Sequence, residues 1–129
     1  MNMYNKPLRY GAMVLMAALI QGCTIYWGGL VDNESDVNIR LIGNDAKKTS
    51  WNVNANEEVK ISWKFSCLEV VEAGKSAYFD ADPKSVPKGA LRSGGMTPTV
   101  YTVYRDHRMY YLLENGDVQP LTKVNDCSK

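Results

Sequence analysis

Residues 99–118, TVYTVYRDHRMYYLLENGDV, decide the fold class of this chain. The first six are all β-branched or aromatic, and this composition predicts a strand. Residues 105–108 favour a turn, and residues 109–113 predict a strand that runs back. Asn115-Gly116 then predicts a second hairpin, because both residues accept the positive φ angles of a type I′ turn.

Alternation of polar and apolar residues predicts more strands ahead of these hairpins. It covers residues 37–42, 49–53 and 59–67, and strands at 68–72 and 76–81 flank a turn at Gly74-Lys75. After residue 23, no long stretch keeps the apolar spacing of a helix. Pro120 lacks a backbone N–H, so the last strand is expected at a sheet edge. About eight short strands with frequent turns predict an all-β domain, either a small antiparallel sandwich or a partly open barrel.

The segment 80–98 interrupts this alternation. It holds three prolines and three glycines, and no strand or helix period survives in it. A stretch of this length without regular structure is unusual in a compact domain and is often functional.

The first 23 residues have a different character from the rest. Lys6 and Arg9 precede ten uncharged residues, 11–20, which is the pattern of a secretory signal. As a helix, ten residues reach about half of the roughly 30 Å needed to span the hydrocarbon of a membrane. Residues 20–23, Ile-Gln-Gly-Cys, resemble the lipobox of bacterial lipoproteins, and this resemblance covers residues 1–23 only.

The resemblance implies cleavage before Cys23 and a lipid on its thiol. Several acyl chains on one residue hold a protein stably on a membrane. Thr24 replaces the aspartate that favours inner-membrane retention, so we expect an outer-membrane anchor with the domain in the periplasm. The predicted organisation is a cleaved signal helix at 1–22, a lipid-anchored linker at 23–35 and a β-rich periplasmic domain at 36–129. The alternative is an ordinary signal or a buried helix, with Cys23 in a disulfide.

The remaining cysteines and the charge balance limit the function classes. With Cys23 lipidated, Cys67 and Cys127 are left, and an oxidising compartment favours a disulfide between them over two buried thiols. One histidine and no Cys-x-x-Cys do not favour zinc, and we predict no cofactor. Two of the 15 Lys and Arg residues but none of the 14 Asp and Glu residues precede Cys23, so the mature chain has a net charge of −1. This balance argues against a nucleic-acid partner.

Tyrosines and arginines are concentrated in residues 101–111. Both residue types are enriched at binding hot spots, because they combine contact area with hydrogen bonding. Strand alternation places Tyr101 and Tyr104 on opposite faces, and likewise Tyr110 and Tyr111. The predicted partner-binding residues are Tyr101, Tyr104, Arg105, Arg108 and Tyr110, with ordinary sheet packing as the alternative.

Catalytic signals are weaker than these binding signals. Asp106 and His107 are adjacent, but neighbours along a strand or turn point in different directions, and a hydrolase also needs an activated nucleophile. Asp80 and Asp82 are two acids without a third ligand for a cation. We therefore predict a non-enzymatic lipoprotein that binds an envelope protein as an accessory subunit, inhibitor or immunity factor. The alternatives are a cell-wall hydrolase and a purely structural envelope component.

Overall fold

Two β-sheets pack face to face in the computed structural model, which describes residues 27–93 and 97–128. The six-stranded sheet has the order β10 (Val118–Pro120), β9 (Arg108–Leu112), β8 (Thr99–Arg105), β1 (Trp27–Asn33) and β4 (Glu58–Trp63), with β7 (Leu91–Arg92) also pairing with β8. The five-stranded sheet has the order β11 (Lys123–Val124), β6 (Lys75–Asp80), β5 (Cys67–Glu72), β2 (Ile39–Gly43) and β3 (Ser50–Val53). The predicted all-β class is confirmed, and the sheets form a sandwich rather than a barrel.

The core lies between the two sheets because the strands alternate. In β2 every second residue is buried, and in β4 Ile61 and Trp63 are buried while the residues on either side of Ile61 are exposed. Trp63 is packed in this core, and the centroids of its ring and the ring of Phe65 are 4.8 Å apart. Its indole N–H donates to the carbonyl oxygen of Ala81 (3.0 Å). The largest completely or almost completely buried side chains are Tyr111, Phe79, Leu41, Leu68, Met109 and Leu121.

Strand β1 corrects the predicted linker. Residues 27–33 form a strand between β4 and β8, and its pairing with β8 is parallel, whereas the other described pairings are antiparallel. Gly29 leaves room for the ring of Trp63, since a Cβ there would lie 2.7 Å from that ring. Asn33 is completely buried, and its side-chain amide donates to the carbonyl oxygens of Val37, Val53 and Asn54. Glycine and asparagine are typical of loops, which is why the composition of this segment predicts a linker although its residues pack in a strand.

The turns differ in type from the prediction, although the hairpins themselves are confirmed. Asp106 and His107 have φ angles of 53° and 61°, so the type I′ turn lies between β8 and β9. At the predicted type I′ position only Gly116 has a positive φ (91°). There the N–H of Gly116 donates to the carbonyl oxygen of Leu113 (3.0 Å), within a longer loop between β9 and β10.

Three other predictions can be compared with the structure. Cys67 and Cys127 form a disulfide with a Cα–Cα distance of 5.5 Å, which joins the start of β5 to the segment after β11. Segment 80–98 contains the short strand β7 and two 3-10 turns, Pro83–Ser85 and Lys88–Ala90. Pro120 lies in the edge strand β10, as predicted. The signal segment and Cys23 lie outside the described residues.

Candidate partner-binding surface

The surface of interest is the outer face of the six-stranded sheet, the face that points away from the five-stranded sheet. In β8, Val100 and Tyr104 join the core, so the alternate residues Tyr101, Val103 and Arg105 lie on the outer face. Register with β9 and β1 extends the face to the residues opposite them: Arg108, Tyr110 and Leu112 on β9, and Leu30 and Asp32 on β1. Strand β4 adds Glu58 and Lys60.

Four of the five predicted binding residues reach this face. Tyr101, Arg105 and Tyr110 are half-buried and Arg108 is exposed. Tyr104 does not reach it, because its side chain points into the core and is only 3% exposed. The prediction of Tyr104 as a contact residue is therefore wrong. The predicted alternation of side chains along β8 is confirmed, because Tyr101 and Tyr104 lie on opposite faces of the sheet.

Tyr104 instead links the two sheets. Its hydroxyl donates to Oε1 of Glu72 at the end of β5 (2.7 Å), and Oε2 of Glu72 lies 2.7 Å from Nδ1 of His107. Burial, and then the hydrogen bond to Glu72, raise the pKa of the Tyr104 hydroxyl well above its usual value. The hydroxyl therefore stays protonated and keeps donating at physiological pH.

Arg92 covers part of the outer face and was missed by the sequence analysis. Its guanidinium carbon lies 3.9 Å from the ring centroid of Tyr101, in cation–π geometry. Its Nη2 also donates to the carbonyl oxygens of Leu112 (3.3 Å) and Leu113 (3.2 Å). Arg92 thus bridges the short strand β7 to the end of β9. It lies in the segment 80–98, where no periodicity indicated which face a side chain would take.

Charges of opposite sign occupy the two sides of the outer face. Arg105 and Arg108 are directly opposite each other across β8 and β9, and Asp32 and Glu58 are directly opposite across β1 and β4. Like charges in such positions destabilise a sheet. A salt bridge to Glu34 (2.9 Å) partly compensates the charge of Arg105. Burial, and then repulsion from Glu34 and Glu58, raise the pKa of Asp32 above its usual value.

The candidate hydrolase residues do not assemble a nucleophile and base. His107 pairs with Glu72 rather than with Asp106, beside a cleft of about 340 Å³. Ser35 also lines this cleft, but its hydroxyl donates to Oδ1 of Asn33 (2.6 Å). It is therefore not activated by the histidine.

The carboxylates of Asp80 and Asp82 accept hydrogen bonds from residues of their own segment. Oδ1 of Asp80 accepts from the backbone N–H of Asp82 (3.0 Å), and Oδ2 accepts from the hydroxyl of Ser85 (2.8 Å). Asp82 accepts from the N–H of Lys84 and so caps a 3-10 turn. Within residues 27–93 and 97–128, no three His, Cys, Asp or Glu side chains come together as metal ligands would.

Fold and surface together define a β-sandwich with one amphipathic, tyrosine- and arginine-bearing outer face. Comparison with protein-family models, with curated proteins and with solved structures finds no match. In the part of the chain that the structure describes, no helix is long and apolar enough to cross a membrane.

Proposed function

We propose that this protein is a bacterial lipoprotein of the cell envelope that binds an envelope protein and has no enzymatic activity. It is exported by residues 1–22 and anchored by lipid on Cys23, with the sandwich in the periplasm and the anchor in the outer membrane. Its role is that of an accessory subunit, an inhibitor or an immunity factor. The observation that carries the binding role is the outer face of the six-stranded sheet, where tyrosine rings and arginines lie together on rigid strands.

The physical case for binding is that the side chains of this face would lose little conformational entropy when a partner binds. Tyr101 is fixed under the guanidinium of Arg92, and Arg105 is held by Glu34, so both are positioned before any partner arrives. Pre-positioned side chains lose little conformational entropy on binding, and aromatic rings supply contact area. Arg108 is exposed beside them and offers a planar group for a carboxylate.

The case for export and anchoring rests on the lipobox-like residues 20–23 and is supported by the disulfide. A Cys67–Cys127 bridge is stable in an oxidising compartment, outside the cytoplasm. The four residue steps from Cys23 to Trp27 span at most about 14 Å when fully extended. A lipid on Cys23 would therefore hold the sandwich close to the membrane surface.

Mass spectrometry of the chain purified from membranes tests the anchor. We expect a mature N-terminus at Cys23 that carries acyl chains, and a gain of two hydrogens on reduction of the disulfide. The matched control is Cys23→Ala, which should leave the chain uncut and without lipid. A wild-type chain that keeps residues 1–22, or that begins at Cys23 without lipid, would refute the lipoprotein assignment.

Capture of partners from the envelope tests the surface. A photo-reactive cross-linker at Tyr110 should join the chain to a specific membrane or periplasmic protein, and Arg108→Ala should reduce the yield at least several-fold. Tyr78 and Arg40 give matched controls, because they lie on the outer face of the five-stranded sheet. A cross-linker at Tyr78 should capture nothing specific, and Arg40→Ala should change nothing. Equal capture from both sheets would reject the surface.

A further inference from the structure

Strand β4 is the longest strand at the end of a sheet in the part of the chain that the structure describes. It has six residues, Glu58–Trp63, and it pairs with β1 on one side only. The strands at the other sheet ends are shorter: β3 has four residues, β11 has two, and β10 has three and contains Pro120. Short length and proline prevent the pairing of sheet edges. Strand β4 has neither, so its open side is able to accept another strand.

The backbone of β4 directs every second residue to this open side. The N–H of Asn33 donates to the carbonyl oxygen of Glu57 (2.8 Å), and in an antiparallel pair the residues that bond to the neighbouring strand alternate. From the register of β1 and β4, the odd-numbered residues of β4 therefore bond to β1. The residues whose N–H and C=O groups point to the open side are Glu58, Lys60 and Ser62.

The side chains of β4 give this edge a pattern that is complementary to itself. Glu58 and Lys60 are exposed on the outer face, and Val59 between them is half-buried against the core. A favourable antiparallel partner has an acid opposite Lys60, an apolar residue opposite Val59 and a base opposite Glu58. In its own chain direction, such a partner has the order acid, apolar residue, base. The segment Glu58-Val59-Lys60 has this order itself.

We propose that β4 pairs with β4 of a second copy of this chain, antiparallel, around a twofold axis that is perpendicular to the sheet and passes between the two Val59 residues. Glu58 then lies opposite Lys60 of the second copy, and Lys60 lies opposite Glu58 of the second copy. Both pairs exchange backbone hydrogen bonds, so about four such bonds join the two sheets. The inference goes beyond the proposed function, because it concerns the edge of the sheet rather than its tyrosines and arginines.

The charges select this register over the neighbouring ones. If the axis moves by one residue along β4, either the two Lys60 residues or the two Glu58 residues oppose each other, and like charges in such positions destabilise a sheet. Within one chain, Glu58 also lies opposite Asp32, which is an unfavourable pair. Lys60 of the second copy would lie on the other side of Glu58 and offset this repulsion. A lone lysine discourages edge pairing, but here Glu58 supplies its opposite charge.

The proposed contact is small, so it calls for a test that traps it covalently. A few residues of each strand bury much less surface than the roughly 1,600 Å² of a standard interface, and contacts of this size are weak. Directly opposed residues that are not hydrogen-bonded to each other have Cα atoms about 4.5 Å apart, a distance that suits a disulfide. The two Val59 residues form such a pair in the proposed dimer.

Disulfide trapping of the full-length chain tests the pairing. When cells that produce Val59→Cys are treated with the thiol oxidant diamide, a linked dimer should form, and reductant should separate it. Ser62→Cys is the matched control, because it is exposed on the same strand but its two copies would lie roughly 20 Å apart in the dimer. It should give at least tenfold less dimer. The intact mass of the linked product should be twice that of the chain.

Exchange of the charges, in the chain that carries Val59→Cys, tests the register. Glu58→Lys alone, or Lys60→Glu alone, opposes like charges at both contacts and should reduce the yield of linked dimer at least fivefold. Both changes in one chain again oppose unlike charges, so the yield should return to near its original value. Arg40→Glu, on the five-stranded sheet, is the matched control and should leave the yield unchanged. Far-UV circular dichroism verifies that each variant is folded.

Three results would overturn the inference. Equal yields from Val59→Cys and Ser62→Cys would mean that the chains meet by random collision. A linked product whose mass is not twice that of the chain would assign the edge to a different protein. Failure of the combined charge exchange to restore the yield would reject the register. None of these results bears on capture from Tyr110, so the inference and the proposed function can fail separately.

Discussion

Loss of the Cys67–Cys127 disulfide should remove a large part of the stability of this domain. The two cysteines are 60 residues apart in sequence, so the bridge closes a long loop. Loop-closure entropy for that length is about 14 cal/mol/K, which corresponds to roughly 4 kcal/mol at 25 °C. Domains of this size unfold with about 5–15 kcal/mol in total. Cys67→Ala combined with Cys127→Ala should therefore lower the melting temperature by about 15–20 °C.

Urea unfolding of the purified chain measures this effect directly. Tryptophan fluorescence reports the transition, because Trp63 is packed in the core. The double variant and the reduced wild-type chain should unfold together, about 4 kcal/mol below the oxidised chain. The oxidised chain should also have the smaller m-value, since its cross-linked unfolded state exposes less surface. A difference below about 1 kcal/mol would refute the loop-entropy argument, and disagreement between the reduced chain and the double variant would indicate a separate packing role for the sulfurs.

Three further changes follow from particular contacts. Tyr104→Phe removes the hydroxyl that donates to Glu72 and should lower the free energy of unfolding by about 1–2 kcal/mol in urea; an unchanged value would mean that this bond does not stabilise the sandwich. Gly29→Ala sets a Cβ 2.7 Å from the ring of Trp63 and should cost about 1–3 kcal/mol in thermal unfolding, which a wild-type melting temperature would contradict. Burial and two nearby glutamates raise the pKa of Asp32, so its contribution to stability is full below about pH 4, the unfolded value, and is lost as the pH rises through the folded value. Asp32→Asn should thus stabilise the chain at pH 7 but hardly at pH 3, and equal effects at both pH values would refute this assignment.

Strand periodicity accounts for most of what the sequence predicted correctly. A strand alternates its side chains whatever it pairs with, so residues 99–104 could be divided into two faces before any partner strand was known. Turn composition, which is equally local, located the hairpins of β5–β6, β8–β9 and β9–β10. The disulfide could be predicted as well, because the resemblance of residues 20–23 to a lipobox assigns Cys23 to a lipid and leaves Cys67 and Cys127 as a pair.

The tertiary structure decided the features that depend on distant contacts. Gly29 and Asn33 are residue types typical of loops, yet both lie in strand β1. Gly29 fits there because the ring of Trp63, on the neighbouring strand, leaves no room for a Cβ. Asn33 fits there because folding brings together three carbonyl oxygens that accept from its side-chain amide. The position of Arg92 over Tyr101 likewise depends on a two-residue strand with no sequence period of its own.

Features set by residues close together in the sequence could be predicted, whereas features set by contacts between distant residues could not. Side-chain direction along one strand and turn composition depend on a few neighbouring residues, so the sequence by itself determined the all-β class and the opposite faces of Tyr101 and Tyr104, while the fold decided which face points outward. Which strands become neighbours depends on the free energy of packing many distant side chains together. Only the folded sandwich therefore set β1 beside β8 and brought the opposed arginine and acid pairs onto one face.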